Sequence, residues 1–211
     1  MILSNKIELD FTDYIAERTP NFTGREWVFQ KICDWLSNPN ASRYFLMAGK
    51  PGSGKTAIAQ RLTQFSQSQE SLHPDLLPSF LNAIHICSAR DSTSVDPRNF
   101  CKSVALQLAQ IQQYAIALAN IDTKHINIQA TQNLRTVTDS TIQNVVINNL
   151  DVSGVMTAQE AFNLLVLHPL QYIYQNGFNQ PITIMVGALN KEVTQQFSVV
   201  QLNPSVLNWV L

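Results

Sequence analysis

The chain has 211 residues, 45% of them hydrophobic, which suits one globular domain with a real core; only 14% are charged, against about 25% in an average soluble protein. Its 18 Asn and 19 Gln supply the polarity instead, and a net charge of -1 excludes disorder driven by charge. That balance, with a pI near 6.4, leaves no footprint for a nucleic-acid backbone or an acidic membrane, so neither nucleic acid nor membrane is expected as a partner.

Residues 1–21 read as a polar lead-in ending near Pro20. Thr23, Gly24, Arg25 and Glu26 have the spacing of a capping box, and Trp27, Val28, Phe29, Ile32, Cys33, Trp35 and Leu36 continue it as a helix over about 24–36. After a turn at Ser37–Asn40, the run Tyr44–Ala48 predicts a short buried strand. A glycine-rich loop follows, then Ile58, Leu62 and Phe65 at helical spacing.

Ala83–Cys87 predicts a second strand. Asp96 before Pro97 opens a helix, and Phe100, Val104, Leu108, Ile111, Ala115 and Leu118 extend it as one long stripe. Between 126 and 150 the period becomes two in places, which suggests a strand pair or an insertion. Thr157–Glu160 repeats the capping box and starts a helix through Ile173; Ile182–Val186 is a further buried strand. Phe197–Leu202 could add one strand more, and Val206–Leu211 is a short apolar end. Strands alternating with helices predict an α/β fold with a parallel sheet covered on both faces.

Cys33, Cys87 and Cys101 are odd in number and lack metal spacing, so they read as reduced thiols in a cytoplasmic protein. No apolar stretch approaches the roughly 18 residues of a membrane span. The four histidines, His73, His85, His125 and His168, share no ligand spacing.

One motif carries chemistry. Gly49, Lys50, Pro51, Gly52, Ser53, Gly54, Lys55 and Thr56 match G-x-x-x-x-G-K-[ST] between an apolar strand and a helix. Its glycines let the chain curl so that successive N–H groups and the helix dipole meet an anion. Lys55 is placed to reach outer phosphates, and Thr56 to offer its hydroxyl to Mg²⁺.

With that loop in place, Phe22, Thr23, Gly24, Arg25 and Glu26 resemble the F-x-G-R-E box that opens many signal-transduction (STAND-class) P-loop ATPases, NACHT-like ones included. His85–Asp91 and Asp96–Arg98 resemble the second strand and following helix of ATPase domains that precede repeat arrays in multidomain bacterial proteins of the cyanobacterial type. The resemblance runs from about residue 22 to 189. It implies a three-layer P-loop NTPase fold over 22–192, with a β insertion at 126–150, and a remnant at 193–211 that leaves the domain incomplete at its C-terminal end. It also implies ATP or ADP with Mg²⁺ as ligands, a slow regulatory switch, and Gly24 and Arg25 bordering the base. Read alone, those two residues start a helix.

The pattern breaks at the Walker B strand. Where the family has an acid after four apolar residues, Gly187 follows Val186, and Asn190 and Lys191 replace the acidic pair. Hydrolysis is therefore expected to be weak or lost, unless Glu192, one residue beyond, or Asp151, behind another apolar run, substitutes. The same fold is also compatible with an interaction module in which nucleotide is incidental. A small sheet with an uncovered edge favours pairing with another chain or with itself. Arg90 and Asp91 follow the second strand, either as site residues or as a solvated loop pair.

Overall fold

The computed structural model describes residues 25–50, 52–67, 79–88, 91–121, 126–137, 140–154, 157–189 and 196–202. In chain order the elements are α1 (Glu26–Ser37), β1 (Tyr44–Ala48), α2 (Lys55–Gln67), β2 (Ala83–Ser88), α3 (Pro97–Leu108) and α4 (Gln112–Ala119). They continue with β3 (Asn127–Val137), β4 (Ser140–Asp151), α5 (Ala158–Phe162), a π turn (Asn163–Leu167), α6 (His168–Gln175), β5 (Ile182–Leu189) and β6 (Gln196–Leu202). The described residues divide into two compact units, one of residues up to Val95 together with Pro181–Leu202, the other of Asp96–Gln180.

The first unit is built on a four-stranded sheet in the order β1-β6-β5-β2. Strand β2 runs parallel to β5, from Ala83 beside Ile184 to Ser88 beside Leu189. Strand β6 is antiparallel to both β5 and β1. The α/β class holds, but the sheet is mixed where the alternation of elements predicted a parallel one. The cause is chain length. Only residues 190–195 separate β5 from β6, and a parallel return needs a crossover of about a dozen residues or more.

Helices α1 and α2 bury their apolar faces together: Val28, Phe29, Ile32 and Trp35 from one, Ile58, Ala59, Leu62 and Phe65 from the other, with Met185 of β5. Phe29 and Phe65 meet edge to face at 5.9 Å. Each Val, Leu, Ile, Phe or Met side chain in the cluster, when fully buried, stabilises the unit by about 1.5–3 kcal/mol. Phe45 and Met47 of β1 pack against this cluster. The alternate residues Tyr44 and Leu46 are 65% and 61% exposed, so β1 is covered on one face only, not buried as the apolar run predicted. Helix α1 begins at Glu26, and its cap is Arg25 in the left-handed region (φ 72°), without a side-chain cap bond. Thr23, the expected cap, lies outside the described residues.

In the second unit Asp96 caps α3 through Arg98 N–H at 2.8 Å, with Pro97 at the first helical position, as the sequence predicted. The predicted single helix across 100–118 is two, because Ile111 turns extended and starts α4 afresh. The break lets the Gln112 side chain donate to the Val145 carbonyl of β4 at 3.3 Å. The period-two stretch forms the antiparallel hairpin β3–β4, with an irregularity between Gln129 and Ala130. Thr157 caps α5 by accepting from Glu160 N–H. No helix among the described residues is long and apolar enough to cross a membrane.

Candidate functional site

The glycine loop joins β1 to α2, and its shape follows from its residue types. Gly52 and Gly54 both have positive φ, 80° and 83°, a region costing an L-residue with a Cβ about 1–2 kcal/mol. Between them Ser53 N–H donates to Lys50 O at 3.2 Å and closes a turn. Gly54 O then accepts from Ile58 N–H at 3.0 Å and starts α2. The N–H groups of Gly52, Gly54, Lys55 and Thr56 have no partner among the described residues. Unpaired donors at a helix start form a site for an anion.

Lys55 is only 3% exposed. Its Nζ donates to Gly49 O (2.7 Å), Lys50 O (2.8 Å) and Ser53 Oγ (2.9 Å), so three uncharged oxygens satisfy the ammonium. Burial, and after it the positive charge of Arg25, hold the Lys55 pKa below the usual lysine range. Gly49 is required by closeness: a Cβ there would stand 2.9 Å from Ser53 Oγ and 3.6 Å from Lys55 Nζ. Ser53 would have to turn away and give up its bond to the ammonium.

Arg25 comes to the loop from the start of α1. Its guanidinium carbon is 3.6 Å from where a Cβ on Gly54 would be, so the side chain lies against that glycine. Arg25 thus brings a further cation against a loop that carries Lys50 and Lys55.

The family model for nephrocystin 3, N-terminal, matches residues 23–162. The chain belongs to this nephrocystin 3 N-terminal family. No curated protein and no solved structure matches the chain. The family match contains Arg25 and the whole glycine loop, and ends within α5, before β5 and its Gly187.

Of the other residues singled out in the sequence, Thr56 stands half-buried in the first turn of α2. Gly24, Pro51, Arg90, Asn190, Lys191 and Glu192 lie outside the described residues. Gly187 is an inner residue of β5, paired with Ile86 and with Phe197. Among the described residues, a Cβ at Gly187 would meet Ile86 at 3.8 Å, which is ordinary contact. Asp151 is an exposed residue of the second unit and accepts from Ser153 N–H at 2.9 Å, an Asx turn that also lowers its pKa. Asp91 likewise serves a turn: its carboxylate accepts from Thr93 N–H and Oγ1–H at 2.9 and 2.6 Å, and its pKa is lowered by these bonds.

Sequence reasoning placed the loop but did not see that Ser53 Oγ completes the lysine's acceptor set. A serine one residue before the G-K pair is too common a sign to show that. Nor could it bring Arg25 to Gly54, since 28 intervening positions hide the contact.

Proposed function

We propose that this chain is a nucleotide-binding regulatory module with weak or absent hydrolysis, built as a three-layer P-loop domain of STAND or NACHT-like type. The observation that carries the reading is the glycine loop itself. Two positive-φ glycines, four N–H donors without partners among the described residues and a buried lysine meet where a polyphosphate would need them. The donor set fits a nucleoside di- or triphosphate, ATP or ADP: backbone N–H groups and a helix start for the inner phosphates, Lys55 for the outer ones. When bound, the nucleotide supplies the charge that switches such a module. The chain's own part is to hold and orient those phosphates.

Mg²⁺ has less to hold it. Thr56 can offer a hydroxyl, but Gly187 provides no carboxylate where the resemblance places one, and Asp91 and Asp151 are engaged in turns. Without a base to take a proton from water, cleavage is slow while binding is retained. Glu192 or Asp151 as a substitute acid is the enzyme alternative, and phosphate release lost on Glu192→Gln or Asp151→Asn would favour it.

A second reading, a pseudo-ATPase whose fold serves partner contacts, draws on the exposed Tyr44 and Leu46 of edge strand β1. Titration of a fluorescent ATP analogue separates the two. Nucleotide binding requires that Lys55→Ala weaken affinity by about tenfold or more. Equal affinity in both proteins overturns the proposal.

A further inference from the structure

The loop carries the cations Lys50 and Lys55, Arg25 lies against it, and none of the three is ion-paired with a described carboxylate. Arg25 is exposed, and its guanidinium makes no hydrogen bond or ion pair with any described residue. It nevertheless lies against Gly54, beside a buried ammonium, in a backbone conformation that arginine rarely adopts. Two like charges held this close repel each other. They are stabilised together when an anion with several oxygens lies between them. A guanidinium presents parallel N–H donors that match two phosphate oxygens, whereas Lys55 acts as a point charge.

In P-loop sites Mg²⁺ neutralises the outer phosphates, and an acid holds the metal's water shell. Position 187, where that acid is expected, carries glycine and so offers no side chain to a metal. A polyphosphate here meets one more cation than the motif supplies and one acid fewer.

We infer that Arg25 is a second phosphate-binding cation, donating beside Gly54 to the outer phosphates, and that with Lys55 it lets this site hold a nucleoside di- or triphosphate without Mg²⁺. This deepens the nucleotide-binding reading and rests on it. It also moves Arg25 from the base, where the resemblance implied it, to the phosphates.

The test is titration of fluorescent ATP and fluorescent ADP into the full chain, in excess EDTA and again in excess Mg²⁺, with the wild type, Arg25→Ala, Arg25→Lys and Lys55→Ala. The wild type is expected to bind with similar affinity in both conditions, within about threefold. Arg25→Ala is expected to lose about tenfold or more in EDTA, with Arg25→Lys between, since a point charge replaces the fork. Far-ultraviolet circular dichroism of each variant shows that it is folded. A wild type that weakens a hundredfold or more in EDTA, or an Arg25→Ala protein that binds there as the wild type does, overturns this inference and leaves the nucleotide site standing. Failure of the wild type to bind in either condition, or equal binding by Lys55→Ala, removes the nucleotide reading and this inference with it.

Discussion

Buried cations need acceptors, and Lys55 takes its three from Gly49 O, Lys50 O and Ser53 Oγ, oxygens that carry no net charge. Such an arrangement satisfies hydrogen bonding without neutralising the ammonium; all three of its donors are engaged, so an incoming phosphate takes a donor only as one loop oxygen gives it up. A second buried titratable group in the first unit, His85, is fully buried on β2, and its Nε2–H donates to Ser94 O at 2.8 Å. Burial lowers its pKa from 6.5, and the bond to Ser94 raises it only in part. Below pH 6.5 the unfolded chain therefore takes up a proton that the folded one refuses, and stability falls as pH drops from there toward the folded pKa. The thermal midpoint is expected to be flat from pH 8 to 7 and to decline toward pH 5, with His85→Gln removing most of that slope. An unchanged slope in the variant would show that other groups carry it. At this scale the glycine loop was readable because each of its residue types answers a local demand, positive φ at Gly52 and Gly54 and close approach at Gly49. Turn duty at Asp91 and Asp151 was not, since an acid after an apolar run looks the same whether it meets a metal or its own backbone.

Helical elements of the second unit show how side chains settle what periodicity leaves open. Pro169 has no N–H to give to the carbonyl four residues earlier, that of Leu165, and its ring crowds it. The helical run accommodates this with the π turn Asn163–Leu167, in which His168 N–H reaches back to Asn163 O. The buried Tyr114 hydroxyl then donates to Leu165 O and satisfies the carbonyl the proline leaves open. Burial also raises the tyrosine pKa, so the hydroxyl keeps its proton. Tyr114→Phe is expected to destabilise the protein by about 1–3 kcal/mol, the cost of an orphaned buried acceptor, read by chemical denaturation. In a Pro169→Ala background, where an N–H is restored, the same change should cost clearly less. Equal costs would disconnect the tyrosine from the proline. Apolar spacing predicted helix on either side of this turn; Pro169 was a local sign of it that periodicity does not read, whereas the break at Ile111 goes with a partner far along the chain, Val145. The run Phe197–Leu202 suggested the strand β6, but its antiparallel direction was not legible: strand type can be read locally, whereas direction is decided by the length of the connection.

Across the whole molecule, the described residues form two units, and the nephrocystin 3 N-terminal match takes in residues of both. The glycine loop, Arg25 and Gly187 all belong to the first unit. The α/β class was legible from alternating strand and helix signals, whereas the mixed sheet and the half-covered β1 were not. The proposed nucleotide binding requires that the folded chain take up a polyphosphate through Lys55. A ligand that binds only the folded state at about 100 times its dissociation constant stabilises it by about 2.7 kcal/mol. The most direct measurement is chemical denaturation of the wild type and of Lys55→Ala, each with and without saturating ATP. The expected result is a gain of that order in the wild type and little or none in the variant; no gain in the wild type, or the same gain in both, would contradict it.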